Sequence, residues 1–186
     1  MLVIGIDYSI TSPAICVFDG NKPQFSFSHC HHYSLNPHKN IQNTLDNIHF
    51  SNHKDYTEQI ERYDHISSWA MRIIHEYDSN DIDMVGIEGY AMGAKGQVFN
   101  IGENTGILKY RLHESGIRQD VVAPTVVKKF ATGKGSGKKD AMYDAFVKDT
   151  GLDLKVMIQP NRLLGSPTTD IVDAFYICKY FFDQLK

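Results

Sequence analysis

The chain has 186 residues, 42% of them hydrophobic, with 19 lysines and arginines against 22 aspartates and glutamates, for a formal net charge of −3. That size suits one domain with its own core, and no stretch approaches the roughly 18–20 apolar residues of a membrane span. Cys16, Cys30 and Cys178 are odd in number and far apart, which argues against a disulfide framework and fits a cytoplasmic protein.

Leu2-Val-Ile-Gly-Ile-Asp7 is short, apolar and rich in branched side chains. It reads as a buried strand rather than a secretory leader, because it has no basic flank and ends in an acid. Residues 13–18 read as a second strand, Asp19-Gly20 as a hairpin turn, and 24–33 as a third strand, giving an antiparallel meander of three. Residues 34–56 are polar and rich in His and Asn, and are expected to form a loop or short helices inserted into a minimal fold. Residues 57–77 carry a helical stripe of Ile60, Tyr63, Ile66, Ala70, Ile73, Ile74 and Tyr77. A fourth strand follows at 83–87.

Residues 91–97 are small and polar, hence a loop, and a helix is expected at about 100–115. Val121-Val-Ala123 reads as a fifth strand, and Pro124 suits the first turn of the next helix, which stops near Gly133. After the glycine-rich turn 133–137 comes a helix at about 138–149, then an irregular stretch, 151–166. Thr168 or Thr169 is expected to cap a last helix, about 169–185, with a core stripe of Ile171, Phe175, Cys178, Phe182 and Leu185. The pattern predicts a mixed α/β fold: five strands, three antiparallel and then parallel ones, with helices on both faces.

Four acids stand out against this pattern. Asp7 and Glu88 each close an apolar run, and Asp170 and Asp173 lie three apart on one face of the last helix. Ligand sites in open α/β sheets lie outside the carboxyl ends of strands. An acid after a buried run is costly unless something cationic meets it. Mg²⁺ or Mn²⁺ would meet such acids and would suit phosphodiester chemistry. Five lysines, Lys128, Lys129, Lys134, Lys138 and Lys139, fall within twelve residues with no acid among them, a local basic footprint on a mildly acidic chain.

The segments GIDYSITSPAICVFD, VGIEGYAMG, VVAPTVVKKFATGKGSGKKDAM and SPTTDIVDAFYIC together resemble the RuvC-type Holliday-junction resolvases of the RNase H-like superfamily. The resemblance spans the N-terminal hairpin and nearly everything from about 84 to 185. It implies that residues 1–186 form one RNase H-like nuclease domain with a His-rich insertion at about 34–56. It implies that Asp7, Glu88, Asp170 and Asp173 are catalytic acids and metal ligands, holding two Mg²⁺ or Mn²⁺ ions. It further implies that Lys128 and Lys139 act in junction binding and catalysis, and that the chain is a homodimer acting in DNA recombination and repair. The family's glycine after the first Asp-Pro is absent from Asp7-Tyr8-Ser9, which suggests a divergent, bacteriophage-type member. Tyr90 lies close to the position of an aromatic residue that wedges into the junction in bacterial members.

On this reading the chain cuts four-way and other branched DNA by paired symmetric nicks. Dimerisation is expected through the helix carrying Gly102 and Gly106, with Ile101 and Leu108 nearby. The alternatives are an RNA-processing nuclease of the same superfamily and a non-catalytic branched-DNA scaffold. Seven histidines lie between 29 and 65, including His29, His31 and His32 around Cys30. Their spacing matches no standard zinc module, and strand alternation would point neighbours to opposite faces, so they are expected to be polar loop residues.

Overall fold

The computed structural model describes residues 1–22, 24–36, 45–90 and 98–186. The expected loop 91–97 and part of the insertion, 37–44, lie outside the described residues. The elements in order are strands β1 (Leu2–Asp7), β2 (Ala14–Phe18), β3 (Cys30–Asn36) and β4 (Ile48–Asn52), helix α1 (Gln59–Ile74), strand β5 (Ile82–Glu88), helix α2 (Val98–Glu114), strand β6 (Gln119–Val122), and helices α3 (Pro124–Thr132), α4 (Lys139–Thr150), α5 (Leu154–Ile158) and α6 (Thr168–Gln184).

Among the described residues the sheet has six strands, not five, in the order β4-β3-β2-β1-β5-β6. The added strand is β4, within the segment expected to be loop or short helices, and it runs parallel to β3. The third strand also starts later and ends later than 24–33, after a 3-10 turn at Phe27–His29. β1, β2 and β3 form the expected antiparallel meander, and β5 and β6 continue the sheet parallel to β1.

Strand alternation divides the core in two. Leu2, Ile4 and Ile6 of β1 and Val85 and Ile87 of β5 pack on α1 and α2 through Ile66, Trp69, Ile73, Leu108 and Leu112. Val3, Cys16, Phe18 and Met84 face the other way, onto α6 and the helices beside it, through Val127, Phe146, Phe175 and Cys178. Ile60, expected in the α1 core stripe, is 57% exposed.

Two glycines let α6 lie directly on the sheet. A Cβ at Gly5 would run into the backbone nitrogen of Cys178 and lie 2.6 Å from the Ala174 carbonyl, and one at Gly86 would enter the Phe181 ring. Neither position tolerates a side chain, so α6 approaches β1 and β5 closely there. Thr168 and Thr169 do not cap α6. Pro167 occupies that position, and both hydroxyls are engaged elsewhere: Thr168 donates to Gln159 Oε1 (2.9 Å) and Thr169 to Asp170 Oδ1 (3.3 Å).

Candidate active site

The parallel pairing of Ile6 with Ile87 brings the ends of β1 and β5 side by side, at the usual strand spacing of about 4.8 Å. Asp7 is two residues beyond Gly5, and Glu88 two beyond Gly86, so both carboxylates project to the face on which α6 lies. Asp170 and Asp173, on the first turns of α6, meet them there. All four acids line one cleft of about 380 Å³, together with Lys128 from α3 and Lys139 from α4. Asp7 and Asp170 are buried, at 8% and 5% exposure, and Glu88 and Asp173 are half-buried.

The electrostatics show how tightly these groups are assembled. Burial pushes the Asp7 carboxyl well above the usual carboxylate range, and Glu88, Asp170 and Asp173 push it further, against a smaller opposing pull from Lys139. Asp173 is raised to about 7, first by burial and then by Glu88 and Asp170. Burial also raises Glu88, while Lys128 and Lys139 pull it back. Without a bound cation the cleft therefore disfavours the charged forms of Asp7, Glu88 and Asp173.

Lys139 approaches from the start of α4, its Nζ 3.5 Å from Thr169 Oγ1. Gly133, at φ 78°, ends α3 in the left-handed conformation that turns the chain toward α4. Lys128 is half-buried at the cleft, whereas Lys129, Lys134 and Lys138 are exposed and do not line it. Tyr90 stands at the cleft margin, 41% exposed.

Several residues at the site carry no signal in the sequence. Thr169 links Lys139 to Asp170 through its single hydroxyl. The loop after Asp7 forms one wall of the cleft and is held from behind by donors out of the His-rich region and α1. His53 Nε2 donates to Thr11 O at 2.9 Å, and Arg62 donates to Ile10 O at 3.0 Å. Finding them required knowing that β4 and α1 pass behind that loop.

A donor set made of carboxylates alone suits a hard divalent cation. One oxygen, Asp170 Oδ2, is buried with no hydrogen-bond partner among the described residues. An acceptor left in that state costs roughly 1–3 kcal/mol, and cation ligation would use it.

No protein-family model matches the chain, and a comparison with curated proteins finds no match. Solved structures do match. Thermus thermophilus RuvC aligns over 99% of this chain and 96% of its own, with TM-score 0.61 and 16% identity. T. thermophilus RuvC in complex with a Holliday-junction substrate aligns over the same shares, with TM-score 0.64 and 15% identity. The fowlpox virus Holliday-junction resolvase aligns over 100% of both chains, with TM-score 0.50 and 15% identity. The chain has the RNase H-like fold of the RuvC resolvases.

Proposed function

We propose that this protein is a metal-dependent, structure-selective endonuclease that resolves four-way and other branched DNA junctions. The observation that carries the reading is the convergence of Asp7, Glu88, Asp170 and Asp173 with Lys128 and Lys139 in one cleft at the carboxyl ends of β1 and β5. The fold shared with RuvC supports the choice of substrate.

The four acids would hold two Mg²⁺ or Mn²⁺ ions, whose positive charge would stabilise the developing negative charge of phosphodiester hydrolysis. The chain's own residues do the rest. Lys139 and Lys128 offset the charge of the scissile or neighbouring phosphate, and Thr169 keeps Lys139 oriented. Lys129, Lys134 and Lys138 extend that charge outward as a phosphate-binding stripe, and Tyr90 stands where it would meet DNA at the mouth of the cleft. Hydrolysis forms one P–O bond from water and breaks one ester P–O bond.

The unit of action is a homodimer. A groove of about 740 Å³ runs between α1 and α2, lined by Ile60, Tyr63, Gly106, Ile107 and Tyr110. A Cβ at Gly102 or Gly106 would meet nothing within 4 Å, so this face of α2 is open. Leu108, expected on the same face, is fully buried against the sheet instead. A twofold pair of clefts suits a near-twofold junction, and paired symmetric nicks follow.

Asp7→Asn tests the reading on a synthetic four-way junction. Cleavage should fall by about 10²–10³-fold or more, a barrier raised by about 3–4 kcal/mol or more, while junction binding persists. Cutting at the wild-type rate would end the assignment.

A further inference from the structure

On the α6 side of the sheet, two strands away from the β1–β5 junction, lies a second group of ligand-type side chains of the opposite chemical character. Cys16 of β2 pairs directly with His32 of β3, and Cys30 is two residues before His32 on the same face. The expectation that strand alternation spoils chelation holds for adjacent residues such as His31 and His32. It does not hold for Cys30 and His32, which alternation brings together, nor for Cys16, which the antiparallel register sets opposite His32. One ligand atom from each of the three lies within 4.8 Å of the other two, and all three residues are buried.

The histidine is prepared for ligation. Its Nε2 faces the Phe27 carbonyl at 3.2 Å, so Nε2 carries the proton and donates it. That leaves the Nδ1 lone pair free, and Nδ1 is buried with no hydrogen-bond partner among the described residues. A hydrogen bond from the remote ring nitrogen to a backbone carbonyl is the usual second contact of a metal-bound histidine. The ring is fixed further by stacking on Phe27, with centroids 3.9 Å apart and planes at 15°. The turn carrying Phe27 is anchored by Asn47, whose amide donates to the carbonyls of Phe27 and Cys30 at 2.9 and 3.0 Å.

We propose that Cys16, Cys30 and His32 form a closed structural site for a thiophilic cation, Zn²⁺, independent of the acidic cleft. Cys178 of α6 lies outside this group but beside Cys16; its thiol donates to the Val3 carbonyl at 3.3 Å and would leave that bond to complete the shell. A tetrahedral Zn²⁺ with bonds of about 2.3 Å holds its sulfurs about 3.8 Å apart, so binding draws the cluster together by small side-chain rotations. Thiolates from Cys16 and Cys30 neutralise the ion's charge, and Cys178 joining as a neutral thiol leaves the complex without a net charge in its apolar core.

Thiol protons pass to solvent as the metal binds. Burial raises the Cys16 and Cys178 thiols and holds His32 neutral, its value lowered to about 3. Loading therefore couples to proton release and to folding rather than to simple diffusion into a finished site. The two sites sort cations by hardness: oxygen donors for Mg²⁺ or Mn²⁺ in the cleft, sulfur and nitrogen for Zn²⁺ in the core.

Refolding the 186-residue chain from denaturant in the presence of one equivalent of Co²⁺ tests this. All three cysteines of the sequence are free and buried, so a thiolate-to-cobalt charge-transfer band reports this cluster alone. The expected result is a band with the intensity of at least two thiolates and a tetrahedral visible spectrum. Zn²⁺ should bleach both, and Cys16→Ser and Cys30→Ser should each reduce the band. A wild-type chain that refolds with Co²⁺ and shows no thiolate band, or the intensity of only one thiolate, overturns the proposal.

Discussion

At the scale of single residues, the cleft acids work against the fold until something neutralises them. Asp173, normally near 3.8, is raised to about 7, so the folded state holds a proton that the unfolded chain releases at much lower pH. A raised carboxyl stabilises the fold fully only below its unfolded value, and the contribution fades as pH rises toward its folded value. In EDTA, the melting temperature should therefore fall between about pH 4 and pH 7, and Asp173→Asn should flatten that slope. A melting temperature that climbs across the same interval would contradict the burial-driven shift. Lys139 acts in the other sense, pulling Asp7, Glu88 and Asp173 back down. Lys139→Ala should slow cleavage by roughly tenfold or more and reduce the salt dependence of junction binding by about one phosphate contact. Filter binding across a salt series reads that slope.

At the scale of elements, α6 is the part that makes a site out of two strand ends. Its close approach depends on Gly5 and Gly86, where any side chain collides with α6 itself. Gly5→Ala should cost at least about 1–3 kcal/mol, lowering the melting temperature by roughly 2–4 °C per kcal/mol, and should weaken cleavage more than junction binding. Gly106→Ala, where the added methyl meets nothing within 4 Å, should leave the melting temperature unchanged or raised. These glycines are invisible to a reading based on apolar periodicity, which sees only that residues 2–7 form a strand. The acids were legible because each closes an apolar run or shares a helical face, and those are local signals. β4 was not legible: Ile48-His-Phe-Ser-Asn52 has weak alternation, and its pairing with β3 is set by contacts distant in the chain. The Cys16–Cys30–His32 group was hidden for the same reason, since it depends on the register between β2 and β3.

At the scale of the whole molecule, the two faces of the sheet carry different surfaces. The α6 face carries the cleft, and the α1–α2 face presents the groove that would meet a second copy. Ile60, 57% exposed at the groove, can be changed without disturbing the core. Ile60→Asp should yield a folded monomer by light scattering that nicks a junction on one strand at a time rather than in pairs. A variant that stays dimeric would move the interface elsewhere. The proposed activity is cutting of branched DNA at the acidic cleft when a divalent cation is supplied. Incubating the purified chain with a synthetic four-way junction measures this directly. In Mg²⁺ or Mn²⁺ the account predicts two symmetrically placed nicks and release of linear duplexes, with no cutting in EDTA. An intact junction in both cations, or cutting undiminished by EDTA, would contradict it.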